Sequence, residues 1–405
     1  MDPAVSTFGL EPMSSTVSGP NVAVTLAQYV SPHGTRAFII TDAGINATGI
    51  ITPITNALTT AGMKWQVFDQ VSPNPTDTNV TAGVAAINKF GLDGTVVVLI
   101  GGGSVMDCGK YIALAAPNGV DTLGLAFAPD LDANDRIDFS TLAPKASASK
   151  PGLPTIAIPT TSGTASETNG GGLVTDTQTN PANHRKLTFS NPSVRPRTIL
   201  LDPTLTVGMP SKGTAACGMD VLTHAIEAYT SLQSNPYADG LALHAIRLVA
   251  KYLPTAVTNG TDLEARAQMQ LASHLAGRAF SSGPLLGLVH ATGHPISGQL
   301  HQAHGQTLAT MLPHVMRFNR DAAGIAERYA NVGQALGSEL DPEAAIAAVE
   351  KLSKTVGTNR KLSELGATSD NIAALTQDAL RDLIILNTPR YPTRGEVHEL
   401  YAKAL

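Results

Sequence analysis

The hydrophobic pattern changes halfway along the 405-residue chain, and this change constrains the fold more than any other feature. Short β-branched runs bounded by turn residues predict buried strands at residues 37–41, 65–69, 95–100, 155–158 and 198–201. Helix-length segments separate the earlier runs, and such alternation favours a parallel sheet with helices on both faces. After Pro210, apolar residues recur at intervals of three and four, which indicates helices. We therefore predict an α/β domain over residues 1–208 and an all-α domain over residues 209–405.

Local signals refine this division. The helix-length segments of the first half are residues 46–60, 77–89 and 105–115, while residues 128–154 have no periodicity and predict a long surface loop. In the second half, Thr261 with Glu264 forms a capping-box pattern. Asp341 before Pro342 predicts another helix start, because proline is well tolerated in the first helical turn.

The composition excludes several classes of protein. Hydrophobic residues make up 43% of the chain, which provides for large cores and argues against disorder. The formal net charge of -5 offers no basic surface for a nucleic acid. Only two cysteines and no secretory signal pattern favour the cytoplasm. The uncharged stretch 43–63 contains proline, glycine and asparagine, so we expect no membrane span.

A glycine-rich turn follows the run at 95–100 and precedes a helical segment. Gly101, Gly102, Gly103 and Ser104 form this turn. Glycines permit close backbone approach to a ligand, and the free N–H groups of a helix start favour an anion, so a diphosphate fits here. The spacing matches neither the dinucleotide nor the ATP-binding fingerprint, and an ordinary tight turn explains it equally well.

Two further polar positions follow predicted strands. Residues 159–167 concentrate hydroxyl groups suited to ribose and phosphate oxygens, although a plain Ser/Thr-rich loop is an alternative. Asp42 closes the first predicted strand, where an acid can accept hydrogen bonds from a ribose diol and repel a 2′-phosphate. An aspartate at that place is also common in turns.

Histidines are concentrated in one window of the second half. Residues 290–304 contain His290, His294, His301 and His304, whereas 11 histidines in 405 residues predict about 0.4 in a window of this length. His290 and His294 have the i, i+4 spacing that places two side chains on one helix face. Such a pair is often an ordinary core or surface pair.

A second pair with the same spacing lies earlier, at Asp220 and His224. On one straight helix His290 and His304 would be about 21 Å apart, too far to share an ion. We expect Pro295 and Gly298 to end the helix, so that a second helix starts near His304 and turns back. One carboxylate and three imidazoles would then form a four-ligand site suited to Zn²⁺ or Fe²⁺.

The order and spacing of these elements match a known family. The glycine turn continues as the motif of residues 101–110, the hydroxyl-rich loop begins Pro-Thr-Thr, and the metal pattern spans residues 218–229, 287–295, 304–305 and 312–316. Over residues 37–401 the chain thus resembles the iron-containing (group III) alcohol dehydrogenases. Ala165 stands where many members have glycine. His301, the loop 128–154 and the first 20 residues have no counterpart in the family pattern.

The resemblance implies a dinucleotide-binding α/β domain with a parallel sheet, followed by a helical metal-binding domain, as in the dehydroquinate synthase-like fold. It implies Asp220, His224, His290 and His304 as metal ligands, and His294 as a proton relay near the substrate. The residues implied to bind the cofactor are Asp42, Asn74, Gly102, Gly103, Ser104, Asp107, Thr160, Thr161, Thr164 and Lys186.

The resemblance also implies an activity: metal-dependent, NAD(P)-linked oxidation of a small primary alcohol or reduction of the aldehyde, with the metal as Lewis acid. Asp42 favours NAD over NADP. Fe²⁺ is the family's metal, and Zn²⁺ suits the same ligands. We expect a homo-oligomer. The alternatives are a lyase of the dehydroquinate-synthase type, which needs Lys and Arg around its substrate, and a metal hydrolase without dinucleotide.

Overall fold

The computed structural model describes residues 8–10, 13–120, 122–179 and 184–405. Eight strands lie within these residues: β1 (Ser15–Ser18), β2 (Arg36–Ile40), β3 (Lys64–Phe68), β4 (Thr95–Gly101), β5 (Thr155–Pro159), β6 (Gly171–Asp176), β7 (Arg185–Ser190) and β8 (Thr198–Leu201). Six of them form one parallel sheet in the order β1-β8-β5-β4-β2-β3, while β6 and β7 pair as a separate antiparallel hairpin.

The helices of the first half are α1 (Ala27–Val30), α2 (Ala43–Ala47), α3 (Thr52–Thr60), α4 (Asp77–Phe90) and α5 (Gly103–Asn118). The helices of the second half are α6 (Ser211–Thr230), α7 (Pro236–Thr258), α8 (Leu263–Ser281), α9 (Leu288–Gln299), α10 (His304–Asn319), α11 (Ile325–Ala335), α12 (Pro342–Val356), α13 (Ile372–Leu380) and α14 (Arg394–Ala404). No described helix is long and apolar enough to cross a membrane.

The central strand β4 shows why the sheet lies between two layers of helices. All of its residues are buried, and successive side chains of a strand point to opposite faces. Val97 and Leu99 join the core formed with α4 and α5, whereas Val96, Val98 and Ile100 join the core formed with α3. A continuous apolar run, rather than an alternating one, is what a strand buried on both faces requires.

The strand order creates a crevice at the carboxyl ends of β2 and β4. After β2 the chain continues outward to β3, and after β4 it continues to β5 on the other side. Ligands of open α/β sheets bind where neighbouring strands connect in opposite directions in this way. The glycine turn at Gly101–Ser104 follows β4 at this place.

The second half is built around α6. Almost every residue of α6 from Thr214 onward is buried, since α7, α8 and α10 pack around it. A helix that is buried on all sides cannot show a strong amphipathic pattern. Polar residues such as Asp220 and His224 therefore lie inside the helical core rather than on its surface.

The predicted fold class is confirmed: a parallel sheet with helices on both faces precedes a helical half. All five predicted strands form, but the hydrophobic pattern does not predict the short edge strand β1 or the hairpin of β6 and β7. The division at residues 208 and 209 stays a prediction, and it lies between the end of β8 and the start of α6.

Two helix predictions were wrong: the segment 46–60 forms two helices, α2 and α3, and Thr261 does not cap α8. Asp262, not Thr261, caps α8: its side chain accepts a hydrogen bond from the Ala265 N–H at 2.9 Å. Helix α9 runs through Pro295, because packing against α10 and α13 outweighs the loss of one N–H donor, but it ends at Gln299, next to Gly298, and α10 starts at His304 as predicted. The predicted start at Asp341 is confirmed by its bond to the Ala344 N–H.

A close approach of α10 to α6 predicts a stability difference between two glycines. A Cβ at Gly305 would lie 2.1 Å from the carbonyl oxygen of Ala216, whereas a Cβ at the exposed Gly240 of α7 meets nothing within 4 Å. We expect Gly305→Ala to destabilise the fold by about 1–3 kcal/mol. Gly240→Ala should instead stabilise it by about 0.5–1 kcal/mol.

Thermal unfolding followed by circular dichroism measures this pair, with a lower midpoint expected for Gly305→Ala alone. Equal midpoints for the two variants would show that α10 can shift away from α6 at no cost.

Candidate metal centre and adjoining cleft

Helix α6 carries three acid or imidazole side chains on one face. Asp220, His224 and Glu227 are spaced at i, i+4 and i+7, and all three are buried. Because α6 is enclosed by other helices, these groups must find partners inside the protein. Their partners come from α9 and α10.

Three imidazoles converge on one carboxylate oxygen. Oδ1 of Asp220 lies 3.4 Å from Nε2 of His224, 3.7 Å from Nε2 of His290 and 3.8 Å from Nε2 of His304. The candidate ligand atoms of Asp220, His290 and His304 all lie within 4.8 Å of one another. The ring of His224 stacks on that of His290 at a centroid distance of 4.7 Å. The structure thus brings together all four residues predicted to bind a metal.

The hydrogen bonding of this cluster fits a cation. Within the part of the chain that the structure describes, Asp220 Oδ1 and His290 Nε2 are buried and have no hydrogen-bond partner. Leaving such atoms without a partner is costly, so the pair is suited to an additional ligand between them. One carboxylate oxygen and imidazole nitrogens form a donor set that Fe²⁺ and Zn²⁺ both accept.

The electrostatics of the cluster favour an ionised carboxylate. Burial raises the pKa of Asp220, but His224, His304 and His290 overcome this effect and hold it below its usual value. Burial lowers the pKa of His224 to about 4 and that of His304 well below its usual value. At pH 7 these two imidazoles are neutral, the form that can coordinate a metal. Burial also lowers the pKa of His290, but Glu227 and Asp220 outweigh this effect and raise that pKa to about 9, so His290 is the cation beside the carboxylate.

The predicted proton relay His294 lies beside this cluster and is held by an acid. Its Nδ1 is 2.5 Å from Oδ2 of Asp382, and its ring stacks on that of His304 at 5.2 Å. Oδ1 of Asp382 accepts a hydrogen bond from the Ile384 N–H at 3.1 Å, so the carboxylate is itself oriented. His294 is thus oriented by a fixed acid.

A cavity of about 450 Å³ connects the histidines to the glycine turn. Its wall near the histidines is apolar and includes Phe127, Phe280, Leu286 and Leu383. Such a cavity, with a few polar groups on apolar walls, is typical of a small-molecule site. The predicted site residues that line it are Asn74, Gly103, Ser104, Asp107, Thr164, Lys186, His224, His290, His294 and His304.

The glycine turn packs against the hydroxyl-rich loop after β5. A Cβ at Gly103 would lie 2.6 Å from the side chain of Thr164, and one at Gly102 would lie 3.1 Å from Thr161. No larger residue fits at Gly103 without moving this loop. The two predicted cofactor elements therefore form one continuous wall at the carboxyl ends of β4 and β5.

Asp42, Gly102, Thr160 and Thr161 do not line the cavity, and neither does the buried Asp220. Asp42 caps α2 by accepting a hydrogen bond from the Ile45 N–H at 2.9 Å, so one of its oxygens serves the helix start. Thr160 is buried beneath the loop. Their predicted contacts with a cofactor stay predictions.

A buried lysine holds the loop near the cofactor wall. Lys110 on α5 donates to Ser166 Oγ at 2.6 Å and to the Ser166 carbonyl at 2.7 Å, and it also binds the Gly171 carbonyl. Asp107 accepts hydrogen bonds from Ser166 and, at 2.9 Å, from the Leu173 N–H. Burial lowers the pKa of Lys110, while Asp107 and Glu167 oppose that effect.

Lys186 on β7 joins the hairpin to the metal-bearing helices. Its ammonium group contacts Ser297 Oγ of α9 at 3.2 Å. Burial lowers the pKa of Lys186 to about 8, although Asp107, Asp220 and Asp382 act in the opposite direction. Lys186 is thus close enough to Asp107, on the side of the glycine turn, and to Asp220 and Asp382, on the side of the histidines, to interact with all three carboxylates.

Three functional side chains were missed in the sequence. The i+7 spacing of Glu227 from Asp220 places it on the same helix face, and Lys110 lies in the glycine motif of residues 101–110. Neither pattern predicts which residue the side chain contacts. Asp382 is 88 residues from His294 and has no local signal. His301, unexplained by the sequence, adopts a left-handed backbone conformation with φ 52° in the turn between α9 and α10.

Comparisons with known proteins agree with this geometry. The family "Iron-containing alcohol dehydrogenase" matches residues 13–203, and "Fe-containing alcohol dehydrogenase family, C-terminal" matches residues 214–405. The "Probable alcohol dehydrogenase EutG" of Escherichia coli strain K12 is 38% identical over 402 residues, covering 99% of this chain and 95% of the relative. The chain belongs to the iron-containing alcohol dehydrogenase family.

Two further relatives extend the comparison. The "NAD-dependent methanol dehydrogenase" of Bacillus methanolicus is 34% identical over 378 residues, covering 91% of this chain and 92% of the relative. The crystal structure of a 1,3-propanediol oxidoreductase has a TM-score of 0.87 and 34% identity, covering 99% of this chain and all of that one. Both halves of the chain match the family, and the chain is therefore a metal-dependent alcohol dehydrogenase.

The lysine network predicts a local change in dynamics. Lys110→Met keeps the length of the side chain but leaves the carbonyls of Ser166 and Gly171 without their donor, at about 1–3 kcal/mol for each buried group. Hydrogen exchange measured by mass spectrometry should show faster exchange over residues 166–176. The exposed Lys89→Met is the matched control, and equal exchange in both variants would refute the role of Lys110.

Proposed function

We propose that this alcohol dehydrogenase interconverts small primary alcohols and their aldehydes with NAD, using Asp220, His224, His290 and His304 as ligands of a divalent metal. The observation that carries the proposal is the cavity of about 450 Å³, which joins the glycine turn to a carboxylate–histidine cluster in which Asp220 Oδ1 and His290 Nε2 have no hydrogen-bond partner among the described residues. A dinucleotide wall and a cation site in one cleft suit hydride transfer to or from a carbon whose oxygen is polarised.

The division of labour follows from the residues. A bound metal supplies Lewis acidity toward the substrate oxygen, and the nicotinamide supplies the hydride acceptor. Gly103, Ser104 and Thr164 shape the wall for the dinucleotide. Phe280, Leu286 and Leu383 exclude water from the reacting end and leave room for a small apolar carbon chain.

His294 is proposed to move the proton of the alcohol. Asp382 accepts from Nδ1 of His294, which leaves Nε2 to take up or release a proton within the cavity. The contact of Asp382 with the Ile384 N–H keeps the pair oriented. Because His294 lies on the wall of the cavity, it can pass this proton on to solvent that enters the cavity.

Support for NAD and for iron comes from the relatives and from charge. Asp42 follows β2 and caps α2, and its carboxylate is proposed to repel the 2′-phosphate of NADP. The Bacillus methanolicus relative is described as NAD-dependent. Fe²⁺ is proposed from the family, with Zn²⁺ as the alternative that the same donors accept. Initial rates with NADH and NADPH, and metal analysis of anaerobically purified protein, test both choices.

A homo-oligomer in the cytoplasm is proposed on two grounds. Strand β1 is an edge of the sheet, and the nearby Phe8, Leu10 and Met13 are exposed, which is typical of a surface that another copy covers. Cys108 and Cys217 are both free thiols, in keeping with a reducing compartment. Light scattering after gel filtration measures the oligomeric state.

The metal ligands give the central prediction. His290→Ala and His304→Ala should each remove bound metal and abolish turnover, because each deletes one imidazole from the cluster. Metal content and absorbance at 340 nm with short aldehydes and NADH measure these effects. His398→Ala at the exposed surface is the control. Full activity in metal-free protein would contradict the assignment.

The relay predicts a different result. His294→Ala should keep the metal and lower kcat by about 10²-fold or more, since general acid–base catalysis contributes about 10²–10⁴-fold. Asp382→Asn should lower kcat less than His294→Ala. Metal analysis of both variants separates loss of the relay from loss of the ligand cluster, and unchanged kcat in His294→Ala would exclude the relay.

A further inference from the structure

Glu227 has no role in the proposed chemistry, although it touches the metal cluster. Its Oε2 lies 2.5 Å from Nδ1 of His290, on the side of the ring opposite the nitrogen that faces Asp220. Its Oε1 accepts a hydrogen bond from the Val289 N–H at 2.6 Å. The side chain is buried, so both bonds form away from water.

The surroundings of Glu227 are built for this carboxylate. A Cβ at Gly287 would lie 3.2 Å from Oε1, so only glycine leaves the acid its full space before α9. The Val289 N–H belongs to the first turn of α9 and has no partner within the helix. Glu227 therefore links α6 to the beginning of the helix that carries His290.

The two contacts of Glu227 require a side chain that accepts two hydrogen bonds, one at each oxygen. The Val289 N–H can only donate, and Nδ1 of His290 must carry the ring proton if Nε2 is to offer its lone pair to a cation that Asp220 also binds. An ionised carboxylate accepts at both oxygens. A glutamine of the same shape would turn its NH₂ group toward one of the two contacts and lose it.

The other imidazoles of the cluster lack such an anchor. Within the described part of the chain, Nδ1 of His224 and Nδ1 of His304 have no hydrogen-bond partner. The backbone of Gly163 interacts with His224, but among the described residues His290 is the imidazole of the three whose Nδ1 contacts a carboxylate. A partner on the second nitrogen of a metal-binding histidine fixes the ring and strengthens it as a ligand.

We infer that Glu227 is a positioning residue that fixes the proton of His290 on Nδ1 and so prepares Nε2 for a divalent cation. The inference rests on the proposed metal function of Asp220, His224, His290 and His304. Glu227 does not line the cavity, and its link to the metal cluster runs through His290.

Zn²⁺ affinity of the folded protein tests the inference. Metal-stripped wild type and Glu227→Gln are titrated with Zn²⁺ in competition with a chromophoric chelator. We expect the variant to bind Zn²⁺ about 10–100-fold more weakly, the usual effect of removing such a partner. Glu167→Gln is the matched control, because Glu167 is also buried beside a histidine, His274, at 3.7 Å. Its Zn²⁺ affinity should equal that of wild type.

A second measurement separates positioning from folding. The thermal midpoint in excess EDTA reports the structural bond to Val289, while Zn²⁺ affinity reports the bond to His290. A lower midpoint in EDTA with unchanged Zn²⁺ affinity would overturn the inference, because a structural role alone predicts it. If Glu227→Gln does not fold, Gly287→Ala, which crowds the carboxylate but keeps it, should weaken Zn²⁺ binding by a smaller factor, and wild-type affinity in that variant would also overturn it.

Failure of the proposed function gives a different result. Wild type would then bind no Zn²⁺ or Fe²⁺, or would not oxidise any alcohol, whatever the behaviour of Glu227→Gln. A tightly binding wild type with an equally tight Glu227→Gln refutes the positioning role alone.

Discussion

The burial of one carboxylate links three helices of the helical half at a single point. An ionised Asp220, 1% exposed, is costly unless opposite charge or strong donors surround it. The three imidazoles that surround it come from α6, α9 and α10, so these helices must meet at one point inside the core. Small residues make this possible: Gly305 lets α10 approach the backbone of α6, and Gly287 leaves room for Glu227.

The two halves share one cleft because polar groups cross between them. Lys186 on the hairpin reaches Ser297 on α9, and His294 with Asp382 lines the same cavity as the glycine turn. Within the first half, Lys110 and Asp107 fasten the loop after β5 to α5. The buried cation Lys110 stabilises the α/β side of the cleft, and the buried acid Asp220 and the partly buried acid Asp382 lie on its helical side. Apolar side chains line the cavity between them.

The sequence predicts those parts of the molecule that depend on local pattern. Buried strands, the glycine turn and the i, i+4 pairs have fixed periodicities, and they were found where the pattern placed them. Contacts between distant residues have no such period: Asp382 meets His294 across 88 positions, and Glu227 meets His290 across 63. The helix end next to Gly298 follows from local signals, whereas the packing that carries α9 through Pro295 against its local cost is tertiary and has no local signal.

The metal-cluster residues are spread over 85 positions, from Asp220 to His304, and belong to three separate helices. A ligand that binds only when all of them are assembled stabilises the native state by RT ln(1 + [L]/Kd), and it stabilises nothing in a chain whose helices have separated. If these residues bind a metal as proposed, metal occupancy and the integrity of the helical core are thermodynamically linked. Scarcity of the ion in a growing cell would lower the resistance of the helical half to unfolding and proteolysis as well as its turnover.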